Sequence, residues 1–205
     1  QRILERNGLD IGIPDSFALF DTTASWLLIR KNFDRFDLNY YRPLGNPTKF
    51  IHALLQHFSR AKDEGVLPEN YSLYVAGLHL GVDAESSGET HEDSIRRASE
   101  IAGAYHTYQQ LLLENNALDF GDLLVYTRTL FTTRPAILEQ YRTQFKYILI
   151  DEFQDTNWVQ HEIVTLLATQ KKNVTVVGDD DQAVFMFRGA SYRNIIQFKE
   201  NYPES

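Results

Sequence analysis

At 205 residues and 43% hydrophobic content, the chain is long enough for one large domain or two small ones and has ample apolar material for a core. Its 28 acidic against 20 basic residues give a net charge of −8, which excludes a protein that coats nucleic acid over a broad surface and confines any DNA contact to a local groove. The absence of cysteine excludes disulfides and thiolate metal sites, and no signal peptide or run of about 18 apolar residues points to export or a membrane, so a cytoplasmic setting is expected.

Apolar residues recur at helical spacing over residues 24–36, 48–62 and 91–116, as in Ile51, Leu54, Leu55 and Phe58, so the first half of the chain is predicted to be helical. Within it, Tyr41-Arg42-Pro43-Leu44-Gly45-Asn46-Pro47 reads as a connection and residues 81–90 as a polar loop. The second half changes character. Lys146-Tyr147-Ile148-Leu149-Ile150 and Asn173-Val174-Thr175-Val176-Val177 are short apolar runs rich in β-branched residues, predicting two buried parallel strands. Between them, residues 157–169 form a helical stretch opened by Asn157 with Gln160 three positions on, the pattern of a capping box. Strand, helix and strand make a βαβ unit, whose right-handed crossover leaves both strand ends on one edge, with Asp151 and Asp179 facing a common crevice.

Asp151-Glu152 directly follows the first strand. Carboxylates delivered this way suit Mg²⁺, a hard cation that keeps several waters and takes one or two protein carboxylates beside phosphate oxygens. Asp151 is the candidate for the ion, and Glu152 for accepting a proton from a water that attacks a γ-phosphate. A lone Asp-Glu pair ending a strand more often marks a solvated edge. The longer strings decide the matter: Asp151-Glu152-Phe153-Gln154-Asp155-Thr156-Asn157 and, after one helix, Val176-Val177-Gly178-Asp179-Asp180-Asp181-Gln182-Ala183-Val184-Phe185-Met186-Phe187-Arg188-Gly189-Ala190.

In this order and separation the two strings resemble motifs II and III of the UvrD/Rep/PcrA family of superfamily 1 DNA helicases. The likeness extends to Asn116-Ala117-Leu118-Asp119-Phe120-Gly121-Asp122-Leu123-Leu124, to Tyr192-Arg193-Asn194-Ile195, and to Gly12-Ile13-Pro14 followed by Phe20-Asp21. It implies an α/β fold: part of a RecA-like P-loop NTPase parallel sheet over residues 116–205, with an all-helical accessory subdomain over residues 1–115. It also implies that the intact protein couples ATP hydrolysis to 3′–5′ translocation on single-stranded DNA and unwinds duplex DNA, in repair or replication restart, with ATP and Mg²⁺ as cofactors.

By the same resemblance Asp151 holds Mg²⁺, Glu152 is the catalytic base, and Gln182 senses the γ-phosphate, while Gln154, Asp155 and Arg188 couple the nucleotide to DNA. Phe185 and Phe187 stand where the family carries aromatics that stack on bases, at about 1–3 kcal/mol per base without regard to sequence. Outside that context Phe-x-Phe is more often core packing.

The sequence departs from the family at Phe153, where tyrosine is usual, at Gln182-Ala183-Val184-Phe185, where Gln-Ser-Ile-Tyr is usual, and at Gly121, which replaces a common aspartate. The π-faces survive and the hydroxyls do not. No Gly-x-x-x-x-Gly-Lys-Ser/Thr loop occurs, so the expectation is an excised segment that is inactive alone. Two other readings compete: a non-catalytic module that binds single-stranded DNA or a partner, and a two-metal nuclease built from Asp151, Glu152, Asp179, Asp180 and Asp181. His52, His57, His79, His91, His106 and His161 show no metal-ligand spacing and read as surface or core residues.

Overall fold

The computed structural model describes residues 1–80, 89–168, 173–179, 198 and 200. It is mostly helical with two small parallel sheets, an α/β architecture. In chain order the elements are α1 (Arg2–Asn7), β1 (Ala18–Phe20), α2 (Thr22–Lys31), α3 (Ile51–Asp63), α4 (Pro68–Leu80), α5 (Glu89–Glu114), β2 (Ala117–Asp119), α6 (Phe120–Thr133), α7 (Pro135–Gln144), β3 (Ile148–Ile150), α8 (Trp158–Ala168) and β4 (Val174–Val176). Two compact units result, and neither is one continuous stretch: Ala18–Ala61 with Val66–Phe120, and Gln1–Phe17 with Lys62–Gly65 and Gly121–Ser205.

The first of these is helical around one two-stranded sheet. α2 starts where the Asp21 carboxylate accepts from the Ala24 amide at 2.7 Å, satisfying a donor that the first turn leaves open, and Arg30 and Lys31 sit at its negative end. α3 buries Ile51, Leu54, Leu55 and Phe58 on one stripe, and α5 answers with Ala104, Tyr105, Tyr108, Leu111 and Leu112. Phe58 lies between two aromatic faces, with ring centroids 4.9 Å from Tyr105 and 5.5 Å from Tyr108. The buried phenols keep polar partners: Tyr105 donates to the Val66 carbonyl at 2.9 Å, and the Tyr108 hydroxyl lies 2.9 Å from both Ser25 Oγ and Asp119 Oδ2. β1 and β2 pair in parallel, Ala18 to Ala117 and Phe20 to Asp119.

The second unit carries β3 and β4 in parallel register, Ile148 to Val174 and Ile150 to Val176, joined through α8. The predicted capping box is present: Asn157 Oδ1 accepts from the Gln160 amide and Gln160 Oε1 from the Asn157 amide, both at 2.9 Å. The strands differ from expectation in burial. Leu149 is 78% exposed and Tyr147 75%, while Ile148 and Ile150 are half-buried. With side chains alternating between faces, one face of this pair is bare among the described residues. Among the described residues the continuous apolar run therefore has only one covered face. Away from the sheet, Phe131, Leu138 and Tyr141 pack with Ile3, Ile163 and Leu166; Tyr141 donates to Asn7 Oδ1 at 2.9 Å and Arg142 to the Leu166 carbonyl at 2.9 Å.

A fully buried ion pair joins the end of α3 to α6 within this unit: Lys62 Nζ lies 2.8 Å from Asp122 Oδ1, and neither side chain is exposed. α3 then stops at Gly65 (φ +71°), whose amide donates to the Lys62 carbonyl while Val66 donates to Ala61. A Cβ at Gly65 would lie 2.5 Å from Trp158 Cζ3, so glycine is required for space as well as for backbone. Residues 81–88, expected as most of a polar loop, lie outside the described residues.

Removing one partner of a buried ion pair strands the other charge without solvent. Lys62→Met is expected to lower the unfolding free energy by about 3–5 kcal/mol in urea denaturation, and Lys62→Met with Asp122→Leu to recover most of that loss.

Candidate functional site

β3 ends at Ile150 and the ladder continues for one step, with Val177 N–H donating to the Ile150 carbonyl at 2.8 Å and Phe153 N–H to the Val177 carbonyl at 2.9 Å. Between those bonds the chain must turn sharply. Glu152 makes the turn in the left-handed region (φ +50°, ψ +46°), a conformation costing a non-glycine residue about 1–2 kcal/mol. A single 3₁₀ turn over Phe153–Asp155 follows, closed by Asp155 N–H to the Glu152 carbonyl at 2.9 Å. Asp151 and Glu152 are left exposed at the strand end, while Phe153 and Gln154 are buried at 3% exposure.

Gln154 is the pivot of this arrangement. Its Nε2 donates to Glu152 Oε2 at 2.6 Å, and its Oε1 accepts from the Asp179 amide at 3.0 Å. One buried side-chain amide thus joins the carboxylate after β3 to the backbone after β4. The approach is close enough to dictate the neighbour. A Cβ on Gly178 would stand 2.7 Å from Gln154 Oε1, so only glycine fits there without moving the amide. Asp151 Oδ1 accepts from the Glu152 amide at 3.0 Å, and the carboxylate is otherwise open to solvent. An exposed oxygen donor at a strand end fits a cation that asks for one or two carboxylates and keeps its waters. Asp155, exposed, contributes its backbone to the turn.

The turn rests on a buried layer. The Phe153 ring packs 6.0 Å from His161 and 5.4 Å from Phe198, so its missing hydroxyl belongs to an interior position rather than an exposed one. Burial pushes the His161 imidazole below its ordinary pKa, with Glu162 opposing, and burial followed by nearby Arg60 does the same to His57, whose Nε2 lies 2.9 Å from the Tyr71 hydroxyl. His52 stacks on Trp26 at 6.0 Å. Among the described residues no group of three or more His, Cys, Asp or Glu stands together as a metal cage.

Asp151, Glu152 and Gln154 are thus brought together with the Asp179 backbone, whereas Gln182, Phe185, Phe187 and Arg188 lie outside the described residues, as do Asp180 and Asp181. Sequence reasoning missed the support around the site: Gly178, the Lys62–Asp122 pair, and Asp63, whose Oδ1 accepts from Asn157 Nδ2 at 2.5 Å. A signal was available for Lys62, which continues the stripe of Ile51, Leu54, Leu55 and Phe58 by one further turn, so a charge occupies an apolar position.

Comparison with known proteins places the chain in a family. The model of the UvrD/REP helicase N-terminal domain matches residues 1–203. The chain belongs to that family. It is similar to proteins named ATP-dependent DNA helicase PcrA: 34% identical over 206 residues to that of Leuconostoc citreum, 36% over 204 residues to that of Staphylococcus epidermidis, and 35% over 204 residues to that of Staphylococcus aureus. Each match covers the whole of this chain and 24–25% of the relative, so the chain spans about a quarter of the length of the curated relatives it matches. Among the described residues no helix is long and apolar enough to cross a membrane.

The depressed histidines set a pH dependence for the fold of this family member. As pH falls through about 6.5, the unfolded chain takes up protons on His161 and His57 that the folded chain refuses. Their contribution is fully present above that pH and is lost below it. Urea midpoints are expected to fall between pH 7.5 and 5.5, and His161→Gln is expected to shrink the difference.

Proposed function

We propose that this chain is part of an ATP-dependent DNA helicase that couples ATP hydrolysis to 3′–5′ translocation on single-stranded DNA and to duplex unwinding, in a cytoplasmic repair or replication-restart role. Residues 1–115 are read as the helical accessory subdomain, centred on the compact unit formed by Ala18–Ala61 and Val66–Phe120. Residues 116–205 are read as the motif II–III part of the first RecA-like motor domain, for which the parallel β3–α8–β4 arrangement is the support. The single observation that carries the reading is the Gln154 amide, bonded at once to the Glu152 carboxylate and to the Asp179 backbone.

Asp151 would hold Mg²⁺, which when bound would supply neutralisation of charge on the nucleotide's phosphate oxygens. Glu152, held in a fixed orientation by its own backbone turn and by Gln154, accepts the proton of the water that attacks the γ-phosphate. Gln182 senses the γ-phosphate from the string that begins at Gly178-Asp179. Any shift there reaches Glu152 through Gln154, because the amide cannot keep both bonds if Asp179 moves. Asp155 and Arg188 extend the link, and Phe185 and Phe187 stack against bases of the tracked strand. The helicases named for the relatives are ATP-dependent, in keeping with this chemistry.

The phosphate-cradling loop is absent from this sequence, so ATP binding and turnover belong to the longer parent protein and the chain alone is expected to be inactive. The test is ATP hydrolysis, with and without single-stranded DNA, by the chain and by its parent. The parent is expected to hydrolyse ATP with DNA stimulation, the chain to show none, and Glu152→Gln in the parent to cut turnover by about a hundredfold or more while sparing nucleotide binding. DNA binding by a parent without turnover would favour the non-catalytic module, and metal-dependent DNA cleavage without ATP would favour the nuclease.

A further inference from the structure

The turn that presents Glu152 is held from below as well as from the sheet. Its hydrogen bonds run in series: Asp155 N–H to the Glu152 carbonyl at 2.9 Å, then Thr156 N–H at 3.1 Å and Thr156 Oγ1 at 2.6 Å to the Phe153 carbonyl. The next residue along the chain is Asn157, which is buried and committed through its Oδ1 and its own amide to capping α8, so the turn is tied to it by the backbone. That leaves Asn157 Nδ2, which donates to Asp63 Oδ1 at 2.5 Å.

Asp63 is itself poorly able to move. Lys62 beside it is locked to Asp122 in a fully buried pair, and Gly65 lies against the Trp158 ring at the first position of α8. Three of four consecutive positions, 62, 63 and 65, therefore fasten the last turn of α3 to α6 and to the start of α8. A bond from an amide to a carboxylate is short and strong, and here it joins two groups that are both already fixed.

We infer that Asp63 is a positioning residue for ATP turnover, acting through Asn157 to hold the Glu152–Thr156 turn, so that Glu152 keeps the orientation a proton acceptor requires. This rests on the reading of Glu152 as the catalytic base. Small misplacements of a catalytic group reduce chemistry far more than they reduce substrate binding.

The experiment uses the full-length parent, with turnover expressed per bound nucleotide so that loss of folded protein does not count. Asp63→Ala is expected to lower kcat about tenfold with KM for ATP within about twofold. Asp63→Asn, which keeps an acceptor oxygen for Asn157, is expected to restore most of the rate. Asn157→Ala with Asp63→Ala should be no slower than Asn157→Ala alone, because both act on one link. An unchanged kcat in Asp63→Ala with a lowered thermal midpoint would show a purely structural contact and overturn the inference, as would Asp63→Asn proving no better than Asp63→Ala. Turnover that Glu152→Gln abolishes but Asp63→Ala leaves intact overturns this inference alone; a wild-type parent without turnover overturns it together with the functional reading.

Discussion

A primary amide has one acceptor oxygen and two donor hydrogens, and in Gln154 the oxygen and at least one hydrogen are committed to groups on two different strand ends. Because the side chain is buried, neither bond can be exchanged for water without loss, and losing a hydrogen bond to a charged group costs about 1.5–3 kcal/mol. The neighbouring geometry follows from that commitment. Gly178 has no side chain because the amide oxygen occupies the space, and Glu152 tolerates a left-handed backbone because its carboxylate and its carbonyl are both engaged in the turn it creates. One side chain thus joins the two strand ends directly.

The support beneath the site follows a different physical rule. Burying Lys62 against Asp122 gains little over an apolar pair, since both charges give up their hydration. What such a pair provides is register, because it fixes which residue of the Lys62–Gly65 segment meets Asp122. Asp63 and Gly65 depend on that register, one for its bond to Asn157 and the other for its clearance from Trp158. A polar interaction of small net stability thus fixes where stronger and more specific contacts form.

How much of this was legible in the sequence varied with the length of each signal. The β3–α8–β4 segment was read correctly in order and direction, because two β-branched runs flank a helix that announces itself with Asn157 and Gln160. The helices α2, α3 and α5 followed from apolar spacing. β1 and β2 escaped because three residues are too few to show alternation, and β2 passes into α6 at the next residue without a turn signal. α4 lay within the half read as helical without being delimited, and α6 and α7 were not read at all, although α4 and α7 each begin with a proline, Pro68 and Pro135, at the position where a helix accepts one. At the site, carboxylates were visible as residue types at a strand end. The bridging amide of Gln154, the close approach at Gly178 and the Asp63–Asn157 bond depend on which residues far apart in sequence become neighbours, and no local pattern encodes that.

Gln154 is proposed to carry the link between the acid pair and the string that starts at Gly178. ATP hydrolysis by the parent protein bearing Gln154→Ala, measured with and without single-stranded DNA alongside nucleotide binding, tests it most directly. Nucleotide binding is expected to be retained while the stimulation by DNA falls by about tenfold. Undiminished stimulation in that variant would contradict it.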